Sequence, residues 1–270
     1  MQKMHDVMPS HGFSSRQVDR RRLLLAACAW PCAGMAQASV RLKIAAASNL
    51  KFVLADLVGQ YRQQTGVEVD VNFGASGNLA RQILQGLPVE QFISADEERV
   101  AELVKAGRTV DAGQRYARGR LALVVPQNSA LPLTQDVGAL VKAMKLSDKF
   151  AIANPALAPY GLAAQQVLQR SGAGPLGAHQ VVLGDNIGQA TQFVATGAAQ
   201  AGITALALAK APEMSGRLRF EPLPESWHAP LQQRMVLLQG ASAAAQAWHQ
   251  YLLSAQARDI FVRHGYGLPQ

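Results

Sequence analysis

Charge, aromatic side chains and cysteine are all scarce in this 270-residue chain. Charged residues make up 16% of it and aromatic residues 6%. So little charge argues against a coiled coil, and so few aromatics leave no row of stacking platforms for single-stranded nucleic acid. The chain has 2 cysteines, Cys28 and Cys32. A chain cleaved after Ala38 keeps neither, and so has no disulfide, thiol nucleophile or thiolate metal site. No apolar run approaches the roughly 20 residues of a membrane-spanning helix. Also missing are a G-x-x-x-x-G-K-[ST] loop, a G-x-G-x-x-G after a strand, and an H-E-x-x-H pair. Nucleotide cofactors and a histidine-held catalytic metal therefore have no sequence support.

What is present is apolar. Hydrophobic residues are 49% of the chain, enough to offset the entropy of ordering it. The formal charge of +8 is uneven: Lys3, Arg16, Arg20, Arg21 and Arg22 against Asp6 and Asp19 give the first 38 residues +3 of it. Behind Arg20-Arg21-Arg22 comes the short apolar run Leu23–Trp30, and Ala36-Gln37-Ala38 closes the segment. A basic start, an apolar middle and a small-x-small ending read as an export signal cleaved after Ala38, which implies a periplasmic protein. The paired arginines also suit a twin-arginine signal. Leu25-Ala26-Ala27-Cys28 is the competing lipoprotein box, with few apolar residues ahead of it.

From residue 41 onward, strands and helices alternate. Arg41–Ala47 reads as a buried strand, and Leu50, Val53, Leu54, Leu57, Val58 and Tyr61 form the stripe of an amphipathic helix. Gly66 ends that helix, and Val67–Phe73 alternates as a strand. Further strands are predicted at Phe92-Ile93, Leu121–Val125, Phe150–Ala153, Val181–Leu183, Ala201–Thr204 and Met235–Leu238. Helices are predicted near 161–170 and 187–196, with two more at the C-terminus. This order predicts an α/β fold of two lobes with mainly parallel sheets flanked by helices. Lobe one comprises residues 39–118 and 233–270, and lobe two residues 119–232. Arg115, Arg118 and Arg120 read as a solvated segment between them. Ligands of such folds bind at the carboxyl ends of the strands, in the cleft.

Two strand–helix junctions carry polar groups there: Ser48-Asn49, and Gly74-Ala75-Ser76-Gly77-Asn78. A hydroxyl with unpaired N–H groups at a helix start makes an anion site that needs no cationic side chain. Gly74 and Gly77 would let the backbone approach a ligand. Serine and asparagine are equally ordinary helix caps, which is the plainer explanation of either junction. A serine hydrolase using Ser76 is the enzymatic alternative, but Asn78 stands where the G-x-S-x-G elbow needs its second glycine. His179, His228, His249 and His264 follow Ser76 without distinctive context.

Together these junctions resemble the molybdate-binding proteins of ABC importers, within the periplasmic binding-protein superfamily. The resemblance rests on Ala45–Asn49, Asn72–Ile83, Phe92–Asp96, Ile152–Pro155 continuing to Pro159-Tyr160-Gly161, and Gly184–Ile187. It covers roughly residues 41–267. It implies a type II two-lobed fold that closes on molybdate, and on tungstate, and delivers it to a membrane permease. The implied protein is not an enzyme, has no cofactor, binds no nucleic acid and works as a monomer. Carried over residue by residue, Ser48, Asn49 and Ser76 donate from lobe one, and Tyr160 and Ile187 donate backbone N–H groups from lobe two. Molybdenum enters as the oxyanion, so no side chain ligates a cation. Where some members have a tyrosine this chain has Ala205, and the Tyr160 hydroxyl is the candidate replacement. Phe92–Asp96 is read as cleft wall. Another tetrahedral oxyanion such as sulfate is the nearest alternative ligand.

Overall fold

A computed structural model describes residues 41–172, 176 and 180–269. The export signal, its cleavage after Ala38, Cys28 and His179 lie outside the described residues.

Among the described residues, ten strands form two five-stranded sheets. Sheet one has β1 (Arg41–Ala47), β2 (Glu68–Gly74), β3 (Gln91–Ile93), β4 (Gln114–Gly119) and β10 (Leu231–Leu237), in the order β2-β1-β3-β10-β4. Sheet two has β5 (Leu121–Pro126), β6 (Phe150–Ala153), β7 (Val181–Gly184), β8 (Ala201–Ala205) and β9 (Leu218–Pro222), in the order β7-β6-β8-β5-β9. Both sheets are mixed: in each, four strands run one way and one runs against them, as expected of a two-lobed α/β fold with mainly parallel sheets. Within each lobe's βαβ units the strands pair in parallel, β1 with β2 and β3, and β6 with β7 and β8. The strands beside the two chain crossings run the other way: β10 against β3 and β4, and β5 against β8 and β9.

Helices cover the sheets for the reasons the periodicity gives. In α1 (Lys51–Thr65), Val53, Leu54, Leu57 and Tyr61 are buried, each such side chain contributing about 1.5–3 kcal/mol when fully buried. Gly66 closes α1 with φ +74, a left-handed position that glycine adopts without steric cost. Tyr61 meets Trp248 of α8 (Ala243–Leu252) edge to ring at 5.0 Å. α9 (Ala255–Arg263) then brings Phe261 against Tyr116 of β4. The arginines expected in solvent belong to β4 and the crossing after it, and each is paired. Arg115 meets Glu97 at 2.9 Å, while Arg118 and Arg120 meet Glu225 at 3.0 and 3.1 Å. Glu225 lies on the second crossing, so it ties the two crossings together.

Candidate functional site: a buried cleft of hydroxyls and helix starts

Strand register sets the site. Ala47 of β1 is level with Gly74 of β2, so Ser48 and Ala75-Ser76 leave sheet one at the same edge. In sheet two, Ala153 of β6 is level with Gly184 of β7, and Asn154 N–H donates to Gly184 C=O at 2.8 Å. The residues after those strands start α5 (Pro159–Arg170) and α6 (Ile187–Ala195). Four helical starts therefore leave the carboxyl ends of four strands, two from each lobe.

All five expected residues are buried: Ser48 is 7% exposed, Asn49 1%, Ser76 1%, Tyr160 1% and Ile187 3%. Neither serine caps the helix it begins. The cap positions are Ala47 and Ala75, without side-chain hydrogen bonds, so the plainer explanation does not hold here. Ser48 Oγ instead accepts from the Gly188 N–H of α6, in the other lobe, at 3.2 Å. Ser76 Oγ, at the start of α2 (Ser76–Leu84), accepts from Ala95 N–H at 3.0 Å. A second contact between lobes follows, from Gly77 N–H to Leu157 C=O at 3.0 Å.

Gly77 lets the backbone approach the opposite lobe: a Cβ there would stand 3.0 Å from Leu157 O. The atoms nearest a Cβ at Gly74 belong to the Leu79 side chain of its own lobe. Among the described residues Ser76 has no histidine as a hydrogen-bond partner; its Oγ accepts from Ala95 N–H and keeps its own proton to donate. Phe92–Asp96 forms wall. Ala95 holds Ser76, Ser94 C=O accepts from Tyr116 Oη at 2.9 Å, and Asp96 accepts from Arg99 N–H at 3.1 Å. Burial pushes the Asp96 carboxyl above its ordinary range.

Behind these groups lies a polar network. Gln233 of β10 is fully buried. Its Oε1 accepts from Asn49 Nδ2 at 3.1 Å and from Tyr116 Oη at 2.6 Å. Its Nε2 donates to Tyr160 Oη at 2.9 Å. Asn49 Nδ2 also donates to Tyr266 Oη at 3.0 Å, and that hydroxyl donates to Asn49 C=O at 2.8 Å. Asn49 and Tyr160, from different lobes, thus meet through one amide. Burial pushes the phenols of Tyr116, Tyr160 and Tyr266 upward, so all three stay protonated.

Gln233 was missed in the sequence because β10 begins at Leu231, four residues before the strand expected at Met235. In the alternation Leu231, Gln233, Met235 it occupies the inward phase, where a polar side chain requires partners. Among the described residues no group of three or more His, Cys, Asp or Glu could hold a metal ion.

The sequence model of the bacterial extracellular solute-binding proteins matches residues 42–267. The chain belongs to that family. Among members of the solute-binding family, it is 37% identical over 253 residues to the molybdate-binding protein ModA of Azotobacter vinelandii, covering 92% of this chain and 97% of the relative. It is 35% identical over 226 residues to the ModA of Rhodobacter capsulatus, covering 82% and 86%. The solved periplasmic molybdate-binding protein of Azotobacter vinelandii superposes with a TM-score of 0.75 at 33% identity, over 85% of this chain and 100% of that one. The two-lobed type II fold is therefore that of a solute-binding protein, and the chain is not an enzyme.

Proposed function

We propose that the chain captures molybdate, with tungstate as an equivalent ligand, in the periplasm and delivers it as a monomer to the permease of an ABC importer. The observation that carries this reading is the buried meeting of two hydroxyls and four helical starts from both lobes, with no charged side chain among the five site residues. Helix-start N–H groups lack intrahelical partners and sit at the positive end of the helix dipole. They suit a desolvated dianion, which needs several aligned donors. Ser48 and Ser76 offer hydroxyls, and Asn49, Tyr160 and Ile187 offer backbone N–H groups. The Asn49 amide is committed to Gln233 and Tyr266, so its side chain adds nothing to the ligand.

Contacts from both lobes favour the closed state by differential binding. With no full counter-charge inside, the anion leaves readily when the lobes part at the permease. The molybdate-binding relatives support this choice of ligand. Calorimetric titration of the purified protein with molybdate, tungstate, sulfate and phosphate tests it. Strong heat with molybdate and tungstate is expected; preference for sulfate, or no heat with any of the four, overturns it.

A further inference from the structure

Ser48, one of the site hydroxyls, borders a cavity of about 260 Å³ between the lobes. Lys51, Phe52 and Phe73 line that cavity from lobe one, and Asn186, Gly188 and Gln192 from lobe two. Among the described residues Lys51 is the one charged side chain on its wall. The Lys51 ammonium lies 5.6 Å from the centroid of the Phe52 ring, so a cation–π contact holds it against a ring that itself faces the cavity. Phe73 stands next to the last residue of β2, in phase with the buried Val69 and half-buried Val71, yet it is 36% exposed and opens onto this space. Lys51 enters no ion pair among the described residues.

Neutral dipoles hold an anion at contact, but their attraction fades quickly with distance. A dianion still in water responds mainly to net charge, and clefts lined by one sign of charge raise association rates. The anion site carries no cation of its own; the cavity beside it carries one.

We propose that Lys51 is a capture residue for a tetrahedral dianion: it draws the ion into the cavity, from which the ion passes to Ser48 and the start of α6. The inference rests on the oxyanion reading of the cleft. Lys51 touches the ion in transit only, so it acts on association and leaves release to the buried donors.

Stopped-flow binding of molybdate to the parent protein, Lys51→Gln and Lys142→Gln tests this. Lys142, exposed on α4 (Val137–Ala143), controls for the loss of one charge anywhere. At about 0.01 M ionic strength, where the screening length is ~30 Å, Lys51→Gln should lower the association rate constant about 2- to 5-fold. At about 1 M, with screening over ~3 Å, the variants should converge. The dissociation rate constant should be the same throughout. Equal low-salt rates for Lys51→Gln and Lys142→Gln would overturn the capture role. So would a defect that persists at high salt or falls on dissociation, since either would make Lys51 a direct ligand. Failure of the parent to bind molybdate at all would instead overturn the oxyanion reading, and the inference with it.

Discussion

Gln233 Nε2 donates to Tyr160 Oη at 2.9 Å, joining a strand of lobe one to the helical start that closes lobe two over the site. Gly119 permits the contact, because a Cβ at that position would run into both the Tyr160 hydroxyl and the Gln233 amide. The Tyr160 hydroxyl is thus built into the hinge-side network, whatever its relation to Ala205.

Tyr160→Phe should therefore act on stability before affinity. It leaves the Gln233 amide N–H buried without its acceptor, a loss of about 1–3 kcal/mol, readable as a lower urea midpoint. Molybdate affinity should change less than about 5-fold, under 1 kcal/mol, because the backbone N–H of residue 160 is retained. A larger loss of affinity would place the hydroxyl in the oxyanion shell, as the substitution at Ala205 suggested.

Ser48→Ala and Ser76→Ala should separate binding from folding. Each removes a hydroxyl donor to a buried dianion, about 1.5–3 kcal/mol or roughly 10- to 150-fold in Kd. Ser76→Ala also strips Ala95 N–H of its acceptor, so it should lower the melting temperature. The bond lost in Ser48→Ala runs between lobes, so that variant should melt nearly with the parent. Calorimetry and thermal unfolding on the same preparations check both.

What the sequence made legible follows from spacing. The strands ending at Ala47, Ala153 and Gly184 were visible as apolar runs cut off by polar residues and the one ending at Gly74 as a period-two alternation, and with them the positions of Ser48, Ser76 and Ile187. The stripe of α1 and its end at Gly66 were equally plain. Long-range pairing was not. β4 was hidden because Arg115 and Arg118 look solvated until Glu97 and Glu225 come beside them. Gln233 looked like one more polar residue, since its partners Asn49, Tyr116 and Tyr160 lie between 73 and 184 positions away. The reason for Gly77 is similarly nonlocal, because it faces Leu157 across the cleft.

Gly77→Ala should weaken binding without weakening the fold. Alanine is the better helix former, by about 1 kcal/mol, and position 77 lies in the first turn of α2. Its methyl would press on Leu157 C=O, at 3.0 Å, only when the lobes are closed. A crowding cost of about 1 kcal/mol to the closed state corresponds to roughly 5-fold in Kd. The expected pattern is faster release of molybdate, unchanged or higher resistance to urea, and less ligand-induced compaction in small-angle scattering. Unchanged release would show that the lobes absorb the methyl.

His249 should make stability depend on pH. It sits in α8, 3% exposed, and its Nδ1 accepts from Gln91 Nε2 at 2.8 Å, which requires that nitrogen to be unprotonated. Burial pushes its pKa below the ordinary histidine value of 6.5, and the Asp111 carboxylate offsets this in part. Between the lowered folded value and about 6.5 the unfolded chain binds more protons than the folded one, so stability rises with pH through that window. Acidification below about 6.5 should therefore lower the urea midpoint. His249→Gln, which has no titrating group, should flatten that part of the profile, although it lowers stability at neutral pH by disturbing the bond to Gln91. A variant profile with the parent's slope between about pH 5 and 6.5 would assign the dependence to other groups.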